Sequence, residues 1–238
     1  MKNKSQSPEF FKFPSTPHLA LPEGVRIRSD KVLTDKERRE FLKNEVIVEE
    51  KIDGANLGIS FCENDDMLLQ ARGKYLKMPG SGQWKKLPDW ISSRKSLLHQ
   101  NLWDQFILFG EWCYAQHSIS YDRLPDWFLA FDIYDRQACN FLSTQQRNRM
   151  LKAMSLEPVP FLARGRFSLA DLEKMINKSR LSDEPAEGIY LRYDRANLLG
   201  GRAKLVRPNF IQSMESHWSK RPITPNSLAS NHALSLRR

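Results

Sequence analysis

The sequence predicts an α+β fold made mostly of antiparallel sheet, and three observations carry that prediction. Short runs of β-branched and apolar residues are bounded by turn residues. Helical patterns with capping signals are few and short. The order is strands, helix, strands, helices, strands, without the regular βα alternation that a parallel sheet needs. At 238 residues the chain is long enough to bury a substantial core without disulfides or a structural metal.

The elements follow in order. The first forty-five residues hold a Pro-containing, extended entry, "FKFPSTPHLALPEG", and then "TDKERREFLKN", where Thr34 and Glu37 have capping-box spacing and predict a short helix from about Asp35. "EVIVEEK", "ANLGISF" and "MLLQAR" read as a strand meander, with "ENDD" as a hairpin turn between the last two. "DWISSRKSLLHQNL" has helical spacing through Trp90, Ile91, Leu97, Leu98 and Leu102, and reads as one helix. The strands "QFILFGEW" and "WFLAFDIYD" flank a loop containing "AQHSISYDRLP".

Ser143 and Gln146 have capping-box spacing before "TQQRNRMLKAM", and Ser168 opens a later helix in "SLADLEKMIN". Two last strands, "EGIYLRY" and "RAKLVR", are joined by "DRANLLGG". Residues 1–215 are expected to form one domain. Residues 216–238, rich in Ser, Asn and Pro, read as a poorly ordered basic tail, with Lys220, Arg221, Arg237 and Arg238 as cations that could meet a polyanion.

Composition narrows the class. Cys62, Cys113 and Cys139 are odd in number, widely spaced and form no C-x-x-C pair, so neither a disulfide framework nor a zinc cluster is indicated. No run approaches the roughly 18 apolar residues of a membrane span, so a soluble protein of the cytoplasm or another intracellular compartment is expected. Lys and Arg exceed Asp and Glu by 37 to 28, a net charge of +9 whose field attracts polyanions. No H-E-x-x-H, G-x-S-x-G or Walker A pattern appears.

The chemistry concentrates at strand ends. In "VIVEEKIDGANLGIS" a strand reaches Lys51, then turns at Asp53 and Gly54. A strand-end lysine ordinarily just faces water. As a nucleophile, Lys51 must lose its proton, which burial or neighbouring cations favour. Gly54 would let the backbone approach a ligand, and alternation would put Asp53 on the Lys51 face. Further strand ends supply "ARGK", "FGEW", "FDIYD", "EGIYLR" and "AKLVR" in that order. Any one of these acids or cations alone would read as a solvated charge.

Together, from about Glu45 to Arg207, these segments resemble the covalent nucleotidyltransferase superfamily of ATP-dependent ligases and capping enzymes, most closely the RNA ligases of the phage RNA ligase 2 type. "KIDG" resembles motif I, "FGEW" motif III, "FDIYD" motif IIIa, "EGIYLR" motif IV and "AKLVR" motif V. The resemblance implies an ATP-grasp-like nucleotidyltransferase domain of two packed antiparallel sheets with peripheral helices and the nucleotide between them. Only 31 residues follow "AKLVR", too few for an OB-fold module of roughly 70 residues. Either a compact ligase is expected, or a module that borrows end recognition from a partner protein.

The resemblance also implies roles. Lys51 attacks the α-phosphate of ATP to form lysyl-AMP, Arg72 contacts the nucleotide, Glu111 accepts from the ribose, and Phe131 stacks on adenine with Asp132 in support. Glu187 helps hold Mg²⁺ or Mn²⁺, Lys204 neutralises the α-phosphate and lowers the Lys51 pKa by like-charge repulsion, and Glu50, Asp53 and Gly54 complete the nucleotide site. The implied substrates are RNA ends or a nicked duplex.

Four positions complicate that pattern. Straight-strand alternation puts Phe131 and Asp132 on opposite faces, so only a bend or bulge would aim both at one site. Motif V of the family has two lysines one residue apart, yet Val206 stands two after Lys204. Arg202 shares the face of Lys204, whereas Arg207 lies opposite. Asp53 stands where phage RNA ligase 2 relatives have histidine, as in DNA ligases. His117, in the loop after "FGEW", is a further substrate-contact candidate or a structural residue. A minimal DNA ligase and a noncatalytic nucleic-acid-binding protein remain alternatives.

Overall fold

In this computed structural model residues 9–21, 31–208, 210 and 222–230 are described. The tail cations Lys220, Arg221, Arg237 and Arg238 lie outside them.

The chain opens with helix α1 (Asp35–Leu42), and both halves of the Thr34–Glu37 capping box form. Strands β1 (Val46–Lys51), β2 (Ala55–Phe61) and β3 (Met67–Ala71) follow, with "ENDD" at the β2–β3 turn, and β4 (Lys74–Tyr75) ends the meander. The expected single helix over residues 89–102 is instead two, α2 (Leu87–Ser92) and α3 (Lys95–Leu102). Arg94 breaks it. Its backbone leaves helical geometry, and its guanidinium turns over the Trp90 ring to meet buried Asp126 at 2.9 Å.

Beyond lie β5 (Phe106–Trp112), β6 (Phe128–Asp135), β7 (Asn140–Phe141), α4 (Thr144–Ala153), β8 (Glu157–Pro158), β9 (Phe161–Gly165) and α5 (Leu169–Lys174). Ser143 caps α4, but Gln146 does not reciprocate, because its amide goes to Asn197. The hairpin of β10 (Gly188–Arg195) and β11 (Leu198–Val206) closes the core fold, and its strands absorb most of the expected loop "DRANLLGG".

Two sheets result. One has the order β11-β10-β1-β9, and the other runs β4-β3-β2-β5-β6-β7. All these pairs are antiparallel, and β8 joins its neighbour β6 in parallel. The α+β expectation holds.

The four-stranded sheet has two contrasting faces, because side chains alternate and cross-strand partners point the same way. Its outer face, with Val46, Val48, Ile189, Leu191, Ala203 and Leu205, packs against Leu19, Phe41 and Leu172. Its inner face carries Glu49, Lys51, Tyr190, Arg192, Arg202 and Lys204. Charge buried between sheets is costly unless paired, and the deepest of these groups are paired. Glu49 meets Arg147 of α4, both about 1 % exposed, and Asp132 of β6 accepts from Tyr190, Arg192 and Arg202.

Residues 222–230 lie against the loop after β5, where buried Asn226 accepts from the Tyr121 amide and donates to the Cys113 and Ala115 carbonyls. Its donors and acceptors are thereby matched.

Candidate active site

The two sheets leave a cleft at the C-terminal end of β1, lined by Glu50, Lys51, Arg72, Glu111, Phe131 and Lys204. Six residues singled out in sequence thus meet in space. Phe13, Pro14, Thr16, Ile52, Asn56, Val159 and Tyr190 complete the wall. Glu187 sits just beneath, its Oε2 accepting from Lys51 Nζ at 2.8 Å.

Electrostatics at Lys51 run opposite to the expectation. Desolvation is the largest influence and opposes the ammonium, but Glu187, Glu111 and Asp53 together outweigh it and hold the group above the ordinary lysine range. The lowered amine is Lys204. Burial, then the neighbouring Lys51 charge, brings it down to about 8. The carboxylates crowd Lys51 more closely than cations do, which reverses the sign.

Glu111 and Asn56 are cross-strand partners on β5 and β2. Glu111 Oε2 and Asn56 Oδ1 are sealed from water and bond to nothing in the protein. Burial pushes the Glu111 carboxyl up to about 8, against the pull of Lys51. Two orphaned acceptors aimed into one cleft fit a ligand that brings hydroxyl or amino donors, as a nucleoside does. Asn56 was missed in sequence because an asparagine in an apolar run carries no signal of its own.

The Phe131–Asp132 conflict is resolved by a bulge. The β5–β6 register steps from Phe109↔Asp132 to Gly110↔Ala130 and leaves Phe131 as the extra residue. Its ring reaches the cleft, its carbonyl accepts from Arg147 and Arg192, and Asp132 is fully buried behind it. Phe13 meets the Phe131 ring edge-on at 5.2 Å.

Besides Glu187 and Asp132, five predicted residues stand away from the cleft wall. Asp53 spends its carboxylate on the amides of Ser118 and Ile119, so it ties the turn to the loop. At Gly54 a Cβ would meet the Trp112 carbonyl at 3.0 Å and Cys113 Sγ at 3.2 Å, so the glycine lets the turn pack on β5. His117 is partly buried beside Gln83 and 4.0 Å from Asp53, within the same loop. Arg202 lies under Phe13 and Phe141 with its charge on Asp132. Arg207 follows β11, where its amide donates to the Glu187 carbonyl.

The family model described as RNA ligase matches residues 44–206, more than half of the chain. The chain belongs to the RNA ligase family. Solved structures of Naegleria gruberi RNA ligase share its fold. One with ATP and Mn has a TM-score of 0.61 at 15 % identity, covering 87 % of this chain and 59 % of its own. One with AMP and Mn has 0.60 at 16 %, covering 85 % and 64 %. A third, with PPi, has 0.57 at 17 %, covering 89 % and 65 %. The chain thus spans less than two thirds of the length of these relatives. The comparison with curated proteins returned no match.

Within this RNA ligase family member the metal question reduces to donor chemistry. Among the described residues no three His, Cys, Asp or Glu side chains gather to cage an ion. Mg²⁺ and Mn²⁺ in nucleotide sites need only one or two carboxylates when substrate phosphates supply the rest, and Glu187 fits that demand. Glu50 lines the cleft, but its carboxylate is held by Ser179 and the Arg180 amide. No helix of the described residues is long and apolar enough to cross a membrane.

Proposed function

We propose that this chain is the nucleotidyltransferase part of an ATP-dependent RNA ligase, working through a covalent lysyl-AMP. The observation that carries the reading is Lys51, an enclosed amine 2.8 Å from Glu187, in a cleft that also presents Arg72, Lys204 and the orphaned acceptors of Glu111 and Asn56. The ATP, AMP and Mn held by the Naegleria gruberi ligase structures support it.

Phe131 would take one face of the adenine, and Glu111 and Asn56 would accept from hydroxyl or amino groups of the nucleoside. Lys204 and Arg72 would neutralise nonbridging phosphate oxygens, where such transfers gather charge. Glu187 would hold a divalent ion together with the phosphates, and the positive charge supplied there would favour loss of the Lys51 proton to solvent. The neutral Lys51 amine would then attack the α-phosphorus. A P–N bond forms, the bond to the bridging oxygen breaks, and pyrophosphate leaves.

AMP passes next to a 5′-phosphate on RNA, and a 3′-hydroxyl displaces it to seal the strand. The positive surface would hold phosphates on both sides of the break, with affinity falling as salt rises.

The test is incubation with ATP labelled at the α-phosphate and Mg²⁺. The wild-type protein should take up a covalent label that survives denaturation and alkali and is released by acid, as a phosphoramidate is, and Lys51→Ala should take up none. Unlabelled wild type would mean a noncatalytic nucleic-acid-binding protein. Nicks differing only in the sugar at the 3′-hydroxyl end address the substrate, and equal sealing of an all-DNA nick would make the protein a DNA ligase.

A further inference from the structure

The extended entry adds itself to the four-stranded sheet. Residue 18 bridges in parallel to Lys204 of β11 on one side and to Val32 on the other. The Lys204 amide donates to the Pro17 carbonyl at 2.9 Å, and the Leu19 amide donates to the Lys204 carbonyl at 2.8 Å. Bridged residues share a face, so His18, Lys204, Tyr190 and Glu49 form one row across the inner face of the sheet.

His18 is 8 % exposed, and its Nδ1 is sealed from water without a partner in the protein. An unpartnered buried imidazole nitrogen is costly unless a ligand completes it. Burial is the largest influence on its charge and, with Lys204, Lys51 and Lys31 adding to it, brings the ring down to about 4, so the ring is neutral beside Lys204, its neighbour in the row that lines the cleft. The surrounding cations call for an anion.

We propose that His18 is a further phosphate-binding residue of the site, donating a hydrogen bond from its imidazole to the pyrophosphate portion of ATP. Position fixes the portion. In-line displacement puts the leaving group on the side of the α-phosphorus away from the nucleophile. Crossing the sheet from Lys51 on β1, the order is β10, β11, then residues 17–19, each step about 4.8 Å. His18 is therefore the residue of the row farthest from the nucleophile. As the bond to the bridging oxygen breaks, negative charge grows on that oxygen, and a donor held there acts on the transition state. The assignment rests on the ligase reading above.

The experiment compares wild type, His18→Leu and His18→Asn in two assays. One measures single-turnover lysyl-AMP formation from ATP. The other measures sealing of an RNA strand already adenylylated at its 5′ end, where no pyrophosphate leaves. Losing one hydrogen bond to a charged group should slow lysyl-AMP formation in His18→Leu about 10- to 100-fold. His18→Asn, which keeps a donor near Nδ1, should recover most of that rate, and sealing of the adenylylated strand should be far less affected. Unchanged lysyl-AMP formation in His18→Leu, or equal losses in both assays for both variants, would overturn the assignment. A wild-type protein that forms no lysyl-AMP but binds RNA would instead refute the ligase reading, and this assignment with it.

Discussion

Lys51 Nζ donates to Glu187 Oε2 across 2.8 Å, joining the last residue of β1 to the residue just before β10. That contact makes the nucleophile of the proposed reaction a charged, hydrogen-bonded ammonium in the empty cleft. Its release is part of the chemistry, and it can be measured.

With Glu187→Gln the strongest charge holding Lys51 protonated disappears, and desolvation prevails. Reactivity of Lys51 toward an amine-selective acylating reagent, followed by mass spectrometry against pH, should rise at a lower pH than in wild type. An unchanged profile would show that Glu187 does not set the state of Lys51. ATP-dependent adenylylation should still fall, because the proposed metal donor is lost.

Glu111 links stability to pH. Its carboxyl is pushed up to about 8, so the fold binds that proton more tightly than the unfolded chain does. The stabilisation is complete below the ordinary carboxyl range and is lost as pH rises through about 8. Glu111→Gln should match wild type in Tm near pH 4 and exceed it by several degrees near pH 9. Parallel Tm curves for the two proteins would refute the shift.

Asn56→Ala should separate binding from folding. Its Oδ1 bonds to nothing in the protein, so stability in urea should change by no more than about 0.5 kcal/mol. Affinity for ATP should weaken by about tenfold, close to one hydrogen bond. A large stability loss with unchanged ATP affinity would make Asn56 a residue of the fold.

Asp132 is the reverse case. It is fully buried and accepts from Tyr190, Arg192 and Arg202, so Asp132→Ala strips Arg202 of its counter-charge and leaves buried Arg192 only Asp194 at 3.7 Å. The expected cost is about 3–5 kcal/mol in urea unfolding. A cost under about 1 kcal/mol would mean that water reaches this network.

Asn226→Ala tests the anchored tail. Loss of its bonds to Tyr121, Cys113 and Ala115 should cost about 1–3 kcal/mol and open residues 222–230 to limited proteolysis. An unaltered cleavage pattern would show that other contacts hold the segment.

The sequence by itself determined the α+β class, the caps of α1 and α5, and the cleft residues Lys51, Arg72, Glu111, Phe131 and Lys204. The class and the caps are written locally, in alternation and cap spacing, whereas the cleft residues were legible through the resemblance of the segments that carry them to the nucleotidyltransferase motifs. Only the tertiary structure decided which partners those groups meet. Lys51 and Glu187 are 136 residues apart, and the charge of Lys51 depends on their distance, which no local pattern encodes. Asp53 sits in the same motif as Lys51, yet its carboxylate accepts from the amides of Ser118 and Ile119 in a distant loop. The Phe131 bulge, the orphaned Asn56, the inward-facing His18 and the tail held by Asn226 all arise where separate segments pack. There, the pairing of each buried polar group is settled by geometry across the whole fold.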